Sequence, residues 1–358
     1  MAVHQILVGA SPGDAITQVA LRYQAALAKR VESGLFALHV DPDAEGHVAP
    51  LAAYEQAPRR NDDVLVFHAS IGEPRVFDFL MRRPERVVVV YHNVSPEGPY
   101  RRFAPEFADL LALGRAELEV LRPKVVAAVA DSAYNARELI TMGYSDVRVL
   151  PPAVAVGNLR TTPPSPSMQH HLRTAVEGPV VLFVGQLLPH KRVEQLLLAY
   201  HVLVTYLLPD ANLIAAGPRR LAPYVSALDR LVSTLGLNAA MLPGRVRTGE
   251  LVAFYERADL FVTLSAHEGF CIPLLEAMSF DVPVLACDCA AIPETLGGAG
   301  LLLPPDPSPT VVAEAMAEIL GDAALRAELS ARGRTRLASF QPDRLERDFV
   351  DFVLEIAT

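Results

Sequence analysis

Short apolar runs rich in β-branched residues alternate along the chain with longer stretches of helical periodicity. This alternation is typical of βαβ units, in which crossover helices join parallel strands. The first half predicts strands at 5–9, 35–40, 64–67, 87–91, 125–130 and 147–150, and its clearest helices at 14–30, 104–121 and 132–142. Ser132 is the predicted N-cap of the last of these helices, and Gly143 its predicted end.

A proline-rich stretch without periodicity, 151–178, interrupts this pattern. The second half then predicts strands at 180–184, 212–216, 239–242, 259–263 and 284–286, helices at 192–207, 248–257 and 273–280, and a helical tail from 310 that ends in 344–356. The chain is therefore predicted to be α/β, with two doubly wound domains. In tandem, such domains favour a ligand at the carboxyl edges of their strands.

The predicted domain boundaries follow from this interruption. The first domain covers 1–156, a linker covers 157–178, and the second domain covers 179–341. A last helix at about 342–358 is expected to pack back on the first domain.

Composition narrows the possible partners and the compartment. The chain has 358 residues, of which 51% are hydrophobic, and a formal net charge of −9. An acidic balance disfavours nucleic acid, whose phosphates need clustered positive charge. Three cysteines and a first segment without the features of a signal peptide predict a cytoplasmic protein. The pairs Arg59-Arg60, Arg82-Arg83 and Arg101-Arg102 are interpreted as solvated surface, which predicts at most peripheral membrane contact.

Several common catalytic motifs are missing from the sequence. Neither a dinucleotide fingerprint, a P-loop, a zincin helix nor a nucleophile elbow is present. Cys287 and Cys289, with His267 and Cys271 upstream, have no common zinc spacing and are interpreted as ordinary free cysteines. The Asp41-Pro-Asp43 turn is interpreted as solvated, so no metal site is predicted.

The segment from His267 to Glu276, HEGFCIPLLE, is the most informative part of the sequence. It follows a strand and enters a helix whose first residue is predicted to be Pro273. A helix start offers free N–H groups and a positive dipole end, which suit a diphosphate. From the residues alone, Glu268 and Glu276 either bracket a ligand or serve as a capping acid and a solvated helix residue.

Glu268 and Glu276 match the E-x7-E signature, and the block around them resembles retaining glycosyltransferases of family 4. The resemblance extends to FVGQLLPHKRV at 183–193, ADSAYN at 130–135, LPP at 150–152, AIPE at 291–294 and YHN at 91–93. It implies the GT-B fold, with two Rossmann-like domains facing each other across a cleft. Gly13 and Asp14 resemble a first-strand loop of members involved in surface-polysaccharide synthesis.

The resemblance also implies roles for individual residues. Glu276 would bind the ribose hydroxyls of a nucleotide sugar, and Lys191 would neutralise its diphosphate. Glu268, Lys191 and His92 are the expected catalytic residues, with His92 near the donor sugar; from the residues alone His92 could equally be structural. The expected donor-binding residues are Gly13, Asp14, Gly185, Gln186, Lys191, Arg192, Arg245, Gly269, Phe270, Cys271, Ile272, Leu275 and Glu276.

Gln186 departs from the family pattern, which has arginine after this glycine. Glutamine donates hydrogen bonds but brings no charge to a diphosphate. Compensation by Arg192 or Arg245 is one expectation, and weaker or differently arranged donor binding is the other.

The function implied is a retaining, metal-independent glycosyltransferase without a cofactor. It would move a sugar from a nucleotide-diphosphate sugar to a hydroxyl of a carbohydrate, lipid-linked or small-molecule acceptor, in polysaccharide or glycoconjugate synthesis. The alternatives are a non-catalytic member that binds nucleotide sugar, favoured by Gln186, and an epimerase or phosphorylase with the same fold.

Overall fold

A computed structural model describes residues 1–56, 62–154 and 156–357. The chain divides into two compact units. The first comprises Met1–Gly98, Pro105–Val154 and Phe340–Thr358, and the second comprises Pro99–Ala104 and Ala155–Ser339. The pair Arg59-Arg60 lies outside the described residues.

The first unit is built on one parallel sheet of seven strands. The strands are β1 (Ala2–Ala10), β2 (Glu32–Val40), β3 (Ala49–Pro50), β4 (Val64–Ala69), β5 (Arg86–Tyr91), β6 (Val125–Ala130) and β7 (Val147–Val149). Their order is β3-β2-β1-β4-β5-β6-β7. The chain adds β2 and β3 on one side of β1 and then β4 to β7 on its other side. The helices between them are α1 (Ala15–Leu27), α2 (Leu51–Glu55), α3 (Pro74–Arg82), α4 (Pro105–Leu121) and α5 (Ala133–Thr141).

The second unit repeats this plan with a parallel sheet of six strands in the order β10-β9-β8-β11-β12-β13. The strands are β8 (Val180–Val184), β9 (Asn212–Ala216), β10 (Ala240–Gly244), β11 (Leu260–Thr263), β12 (Val284–Cys287) and β13 (Leu301–Leu303). The helices are α6 (Val156–Thr161), α7 (Pro166–Ala175), α8 (Val193–Val202), α9 (Ala222–Thr234), α10 (Thr248–Arg257), α11 (Ile272–Ser279), α12 (Ile292–Leu296), α13 (Pro309–Gly321) and α14 (Ala323–Leu337). A last helix, α15 (Pro342–Ala357), belongs to the first unit.

Central strands of both sheets are buried on both faces, as parallel strands between helix layers must be. Every residue of β4 is buried, although His68 is polar. The core of the second unit gathers Phe183, Leu213 and Val262 from neighbouring strands. Such strands give continuous apolar runs in the sequence, which explains why the predicted strands are confirmed.

Helix boundaries follow local capping chemistry. The Ser132 side chain accepts from Asn135 N at 3.1 Å, and Gly143 has φ +90°, so both predicted ends of α5 are confirmed. Pro273 is the second residue of α11 and not the first, because the helix already begins at Ile272.

The prediction of a linker over 157–178 is wrong. The structure has α6 and α7 there, and both contact α10 within the second unit. Ser165 caps α7 by accepting from Met168 N, and Pro166 fits the first turn because its missing N–H needs no partner. The prolines therefore lie between two short helices and in the first turn of the second.

The interpretation of Arg82-Arg83 as solvated surface is wrong for Arg83. Its guanidinium is buried and bonds both oxygens of Glu85, which is buried too. The tyrosine ring of Tyr54 lies 4.7 Å from the same guanidinium. A buried arginine persists only with such a bidentate partner.

Candidate functional site

Two loops of the second unit follow neighbouring strands, β8 and β11, at their carboxyl ends. The first carries Lys191 and the second carries Glu268. A main-chain hydrogen bond from Ala266 N to His190 O, 2.8 Å long, joins the loops. Because the two strands are parallel neighbours, their following loops meet at the same edge of the sheet.

Lys191 and Glu268 form a close ion pair at this edge. The ammonium Nζ lies 2.6 Å from Oε1 and 2.7 Å from Oε2 of the carboxylate. The two side chains are only 17% and 9% exposed, so solvent screens the pair weakly. The structure thus brings together two of the three expected catalytic residues.

The chain between Glu268 and α11 is held in an unusual backbone conformation. Cys271, the N-cap of α11, has φ +71°, a left-handed value that is uncommon for a residue with a Cβ. The Thr295 hydroxyl donates to Phe270 O at 2.6 Å, and Ala291 N donates to Glu268 O. Cys271 gives no side-chain cap, Pro273 has no N–H, and Leu274 N donates to Cys271 O at 3.1 Å, so Ile272 N is the first N–H that the start of α11 offers to an outside acceptor.

Other expected donor-binding residues lie along the same segment. Gly269 and Ile272 are partly exposed, whereas Phe270, Cys271 and Leu275 are buried. Burial raises the pKa of the Cys271 thiol well above its usual value, and the neighbouring Glu268 carboxylate raises it further. Cys271 is therefore a neutral thiol.

Glu276 lies on α11 and has a partner that the sequence did not indicate. The Tyr255 hydroxyl, from α10, donates to Glu276 Oε2 at 2.7 Å. Burial raises the pKa of the Glu276 carboxyl, and this hydrogen bond lowers it. No sequence motif marks Tyr255, which looks like any buried helix residue.

The turn after β8 contains Gly185 and Gln186 and packs against the end of β9. A Cβ on Gly217 would lie 1.7 Å from the Gly185 carbonyl oxygen, so two backbones touch here. Gly185 N donates to Ala216 O, and Leu187 N donates to Pro218 O. Gln186 thus stands on a rigid turn at the same sheet edge as Lys191.

The two arginines expected to compensate for Gln186 lie in different settings. Arg192 has φ +52°, and its guanidinium NH1 donates to Pro305 O at 2.9 Å and to Asp306 Oδ1 at 3.2 Å. Its charge is thus already shared with the loop before α13. Arg245 is exposed and follows β10, where the register with β9 shifts.

His190, next to Lys191, anchors the segment Pro99–Ala104 within the second unit. Its Nδ1 lies 2.5 Å from the Tyr100 hydroxyl, and both residues are buried. Burial, then Lys191 and His267, lowers the pKa of His190 well below its usual value. A neutral histidine beside Lys191 adds no positive charge to the loop.

The remaining expected site residues belong to the first unit. Gly13, with φ +74°, follows β1, and the Asp14 carboxylate caps α1 by accepting from Thr17 N at 3.0 Å. Asp41 similarly accepts from Asp43 N, a turn of the kind that the sequence predicted there. Asp14 therefore has a structural task whether or not it also meets a ligand.

The ring of His92, directly after β5, is hydrogen-bonded at both nitrogens. Its Nδ1 lies 2.8 Å from Asp131 Oδ2, and its Nε2 lies 2.8 Å from His68 Nδ1. His68 Nε2 in turn lies 2.9 Å from Gln5 Oε1. These four side chains come from β1, β4 and the ends of β5 and β6, so they form one chain that runs from the middle of β1 to the carboxyl ends of the neighbouring strands.

Hydrogen-bond chemistry fixes the direction of this chain. Gln5 Nε2 donates to the Ala20 carbonyl at 3.0 Å, so Gln5 Oε1 must accept from His68 Nε2. Burial, then His92, lowers the pKa of His68 well below its usual value, so His68 is neutral and its Nδ1 accepts from His92. Both ring nitrogens of His92 are therefore engaged with protein partners in this arrangement.

Among residues 1–56, 62–154 and 156–357, no three His, Cys, Asp or Glu side chains are grouped so that they could hold a metal ion. The Cys289 thiol instead lies 3.5 Å from Pro305 O. Nor does any helix in these ranges combine the length and the apolar character needed to cross a membrane.

Solved structures with the same arrangement of elements identify the fold. Sucrose-phosphate synthase from Thermosynechococcus elongatus superposes with a TM-score of 0.78 at 18% identity, covering 99% of this chain and 98% of that one. Anabaena HepE, solved in complex with UDP, gives 0.76 at 18% identity, covering 99% and 100%. The chain has the GT-B fold.

Residues 167–336 match the family model of the glycosyl transferases group 1, a stretch within the second unit. The Escherichia coli mannosyltransferase WbdA is 28% identical over 270 residues, which cover 72% of this chain and 32% of WbdA. A GDP-mannose-dependent mannosyltransferase of Mycobacterium tuberculosis that acts on phosphatidylinositol monomannoside is 30% identical over 223 residues, covering 58% and 56%. The chain thus spans about a third of WbdA. The family model and both of these sequence relatives are glycosyltransferases.

Proposed function

We propose that the chain is a retaining, metal-independent glycosyltransferase that uses a nucleotide-diphosphate sugar as donor and a carbohydrate or lipid-linked hydroxyl as acceptor. The observation that carries the proposal is the Lys191–Glu268 pair beside the uncapped start of α11. A fixed ammonium and a helix N-terminus together supply the positive charge that a departing diphosphate needs.

The proposed reaction is a front-side displacement. The bond between the anomeric carbon and the diphosphate oxygen breaks, and the acceptor oxygen forms its bond on the same face. The acceptor proton passes to the leaving phosphate, so the step balances without a protein nucleophile. Lys191 would stabilise the growing charge on the diphosphate, and Glu268 would orient the sugar.

The donor class follows from the relatives by analogy. Mannosyltransferases are prominent among the sequence relatives, and one solved neighbour holds UDP. We therefore propose GDP-mannose and UDP-glucose as the first donors to test. Polysaccharide or glycoconjugate synthesis is the setting in which such acceptors occur.

A thermal-shift panel of GDP, UDP and their sugars tests donor binding. A ligand at a hundred times its dissociation constant should add about 2.7 kcal/mol of stability. Glu276→Ala should abolish the shift, whereas Glu314→Ala, an exposed helix glutamate of the same unit, should keep it. A panel without any shift would contradict the proposal.

Turnover in excess EDTA, followed by NMR of the product anomer, tests the two finer points. Activity should survive chelation, and the product should keep the anomeric configuration of the donor. Activity lost to EDTA and restored by Mg²⁺ or Mn²⁺ would contradict metal independence. Tight donor binding without turnover on any acceptor pool would favour the second candidate, a non-catalytic nucleotide-sugar binder, for which neutral Gln186 is the supporting observation.

A further inference from the structure

Tyr255 is a buried phenol whose hydroxyl meets a carboxylate. It lies on α10, and its ring stacks on Phe280 at 5.2 Å with an interplanar angle of 11°. Its hydroxyl lies 2.7 Å from Glu276 Oε2. The stacking on Phe280 holds the Tyr255 ring in one orientation. The position of the ring in turn places the phenolic hydroxyl against the Glu276 carboxylate.

The Glu276 carboxylate has one further oxygen. Among the described residues, the Tyr255 hydroxyl is the hydrogen-bond partner of this carboxylate, and it occupies Oε2. Oε1 is left for other donors, and the side chain is partly exposed. A carboxylate with one oxygen anchored has fewer rotamers to lose when a ligand binds at the other.

We propose that Tyr255 is a positioning residue, which anchors one oxygen of Glu276 so that the carboxylate presents the other to the ribose hydroxyls of the nucleotide. This inference rests on the proposed function, because the contact of Glu276 with ribose belongs to it. It adds a second residue, from another helix, to the recognition of the nucleotide.

The same hydrogen bond sets the pH range in which Glu276 can accept. Burial favours the neutral carboxyl and raises its pKa, and the Tyr255 hydroxyl opposes this by stabilising the anion. Of the nearby groups, Cys271 is neutral, and Arg160 from α6 donates to Ser279 O and lies 5.9 Å from the Phe280 ring. Without the hydroxyl, burial acts alone and the carboxyl holds its proton to higher pH.

The test compares Tyr255→Phe with a matched control, Tyr200→Phe. Tyr200 is an equally buried tyrosine of the same unit, whose hydroxyl donates to Ala211 O at 2.8 Å. Both variants keep the ring and lose one buried hydrogen bond. Any general loss of stability should therefore appear in both.

Two readouts are needed. The carboxyl of Glu276 is titrated by ¹³C NMR of glutamate-labelled protein, with its signal assigned by its loss in Glu276→Gln. We expect the midpoint to rise by about 1–2 pH units in Tyr255→Phe, the equivalent of one hydrogen bond to a charged group. The affinity for GDP and UDP should fall roughly tenfold below that midpoint. Tyr200→Phe should change neither quantity.

The outcomes separate the inference from the proposed function. An unmoved Glu276 midpoint in Tyr255→Phe would overturn the positioning role, even if both nucleotides still bind. A raised midpoint with nucleotide affinity unaffected by Glu276→Gln would uphold the anchoring by Tyr255 and contradict the ribose contact on which the proposed function relies. A raised midpoint together with the acid-side loss of affinity supports both.

Discussion

Lys191 and Glu268 neutralise each other at a place where the proposed donor would bring negative charge. The 2.6 and 2.7 Å contacts hold the ammonium in one position before any ligand arrives. A cation fixed in advance needs no reorganisation during the reaction, which is the condition for strong transition-state stabilisation. The pair thus keeps the Lys191 ammonium in place. Glu268 is its counter-ion until the diphosphate of the proposed donor takes over that role.

Replacing Lys191 by alanine should lower kcat/KM by about 10²–10³, as expected for the loss of one preorganised charge. Gln186→Arg in that background should restore part of the activity, because Gln186 stands on the turn at the same sheet edge. Steady-state kinetics of both variants check this, with Lys29→Ala, an exposed lysine of the first unit, as control. Near-normal turnover of Lys191→Ala, or a double variant no better than the single one, would contradict the assigned role.

At the scale of elements, the turn after β8 depends on a glycine that follows another strand. Gly217 comes directly after β9 and has φ +156°, and an added Cβ would sit 1.7 Å from Gly185 O. The contact between the backbones is therefore possible only without a side chain. Gln186 and, beyond it, Lys191 take their positions from this turn.

Gly217→Ala should therefore weaken donor binding and lower the melting temperature, since the turn must move to relieve the clash. Gly321→Ala is the matched control, because nothing lies within 4 Å of an added Cβ at that helix end. Calorimetry and nucleotide titration of the two variants measure both effects. Equal behaviour of the two proteins would show that the turn tolerates displacement.

The elements that the sequence predicted are those with a strong local signal. Continuous apolar runs such as Val64–Ala69 predict buried strands, and Ser132 and Gly143 predict the two ends of α5. The short strand β13 is not predicted, because a run of three leucines is too short to show the periodicity of a strand or a helix. Helix α9 is not predicted either, because the prolines at and before its start are also typical of a loop.

Site residues with a motif were predicted, and those without one were not. Lys191 and Glu268 belong to recognisable segments, although nothing in the sequence indicated that they form an ion pair. Tyr255 belongs to no motif, and Asp131 lies in the ADSAYN segment but is not among the expected site residues. Both gain their importance from what the fold places beside them. Gln5 and His68 occur inside apolar strands, where a single polar residue gives no indication of its partner. Hydrogen bonds between distant segments cannot be read from spacing.

At the scale of the whole molecule, each unit has a buried neutral histidine near the carboxyl end of a central strand. His68 serves the first unit and His190 the second. Burial lowers the pKa of both well below the usual value. The unfolded chain therefore binds protons more readily than the folded one below about pH 6.5, the ordinary histidine value.

Stability should be full above that pH and fall as the pH drops below it, by about 1.4 kcal/mol per pH unit for each histidine. His68→Gln should remove part of this slope, whereas His171→Gln, at an exposed position, should leave it unchanged. Calorimetric unfolding between pH 5 and 8 provides the measurement. A slope that survives in His68→Gln would mean that other groups cause the acid sensitivity.

The path of the chain through its two units has a consequence for synthesis on the ribosome. The first unit needs α15, whose Phe349 stacks on Tyr23 of α1 at 3.7 Å and whose Asp343 pairs with Arg22. All of Ala155–Ser339 is made before that helix. The second unit, begun later, can thus finish folding first, while the growing first unit waits with one apolar helix face uncovered. A ribosome-bound chain cut off at residue 339 and followed by a flexible linker long enough to clear the exit tunnel should therefore protect β8 to β13 from protease and leave α1 open to chaperones.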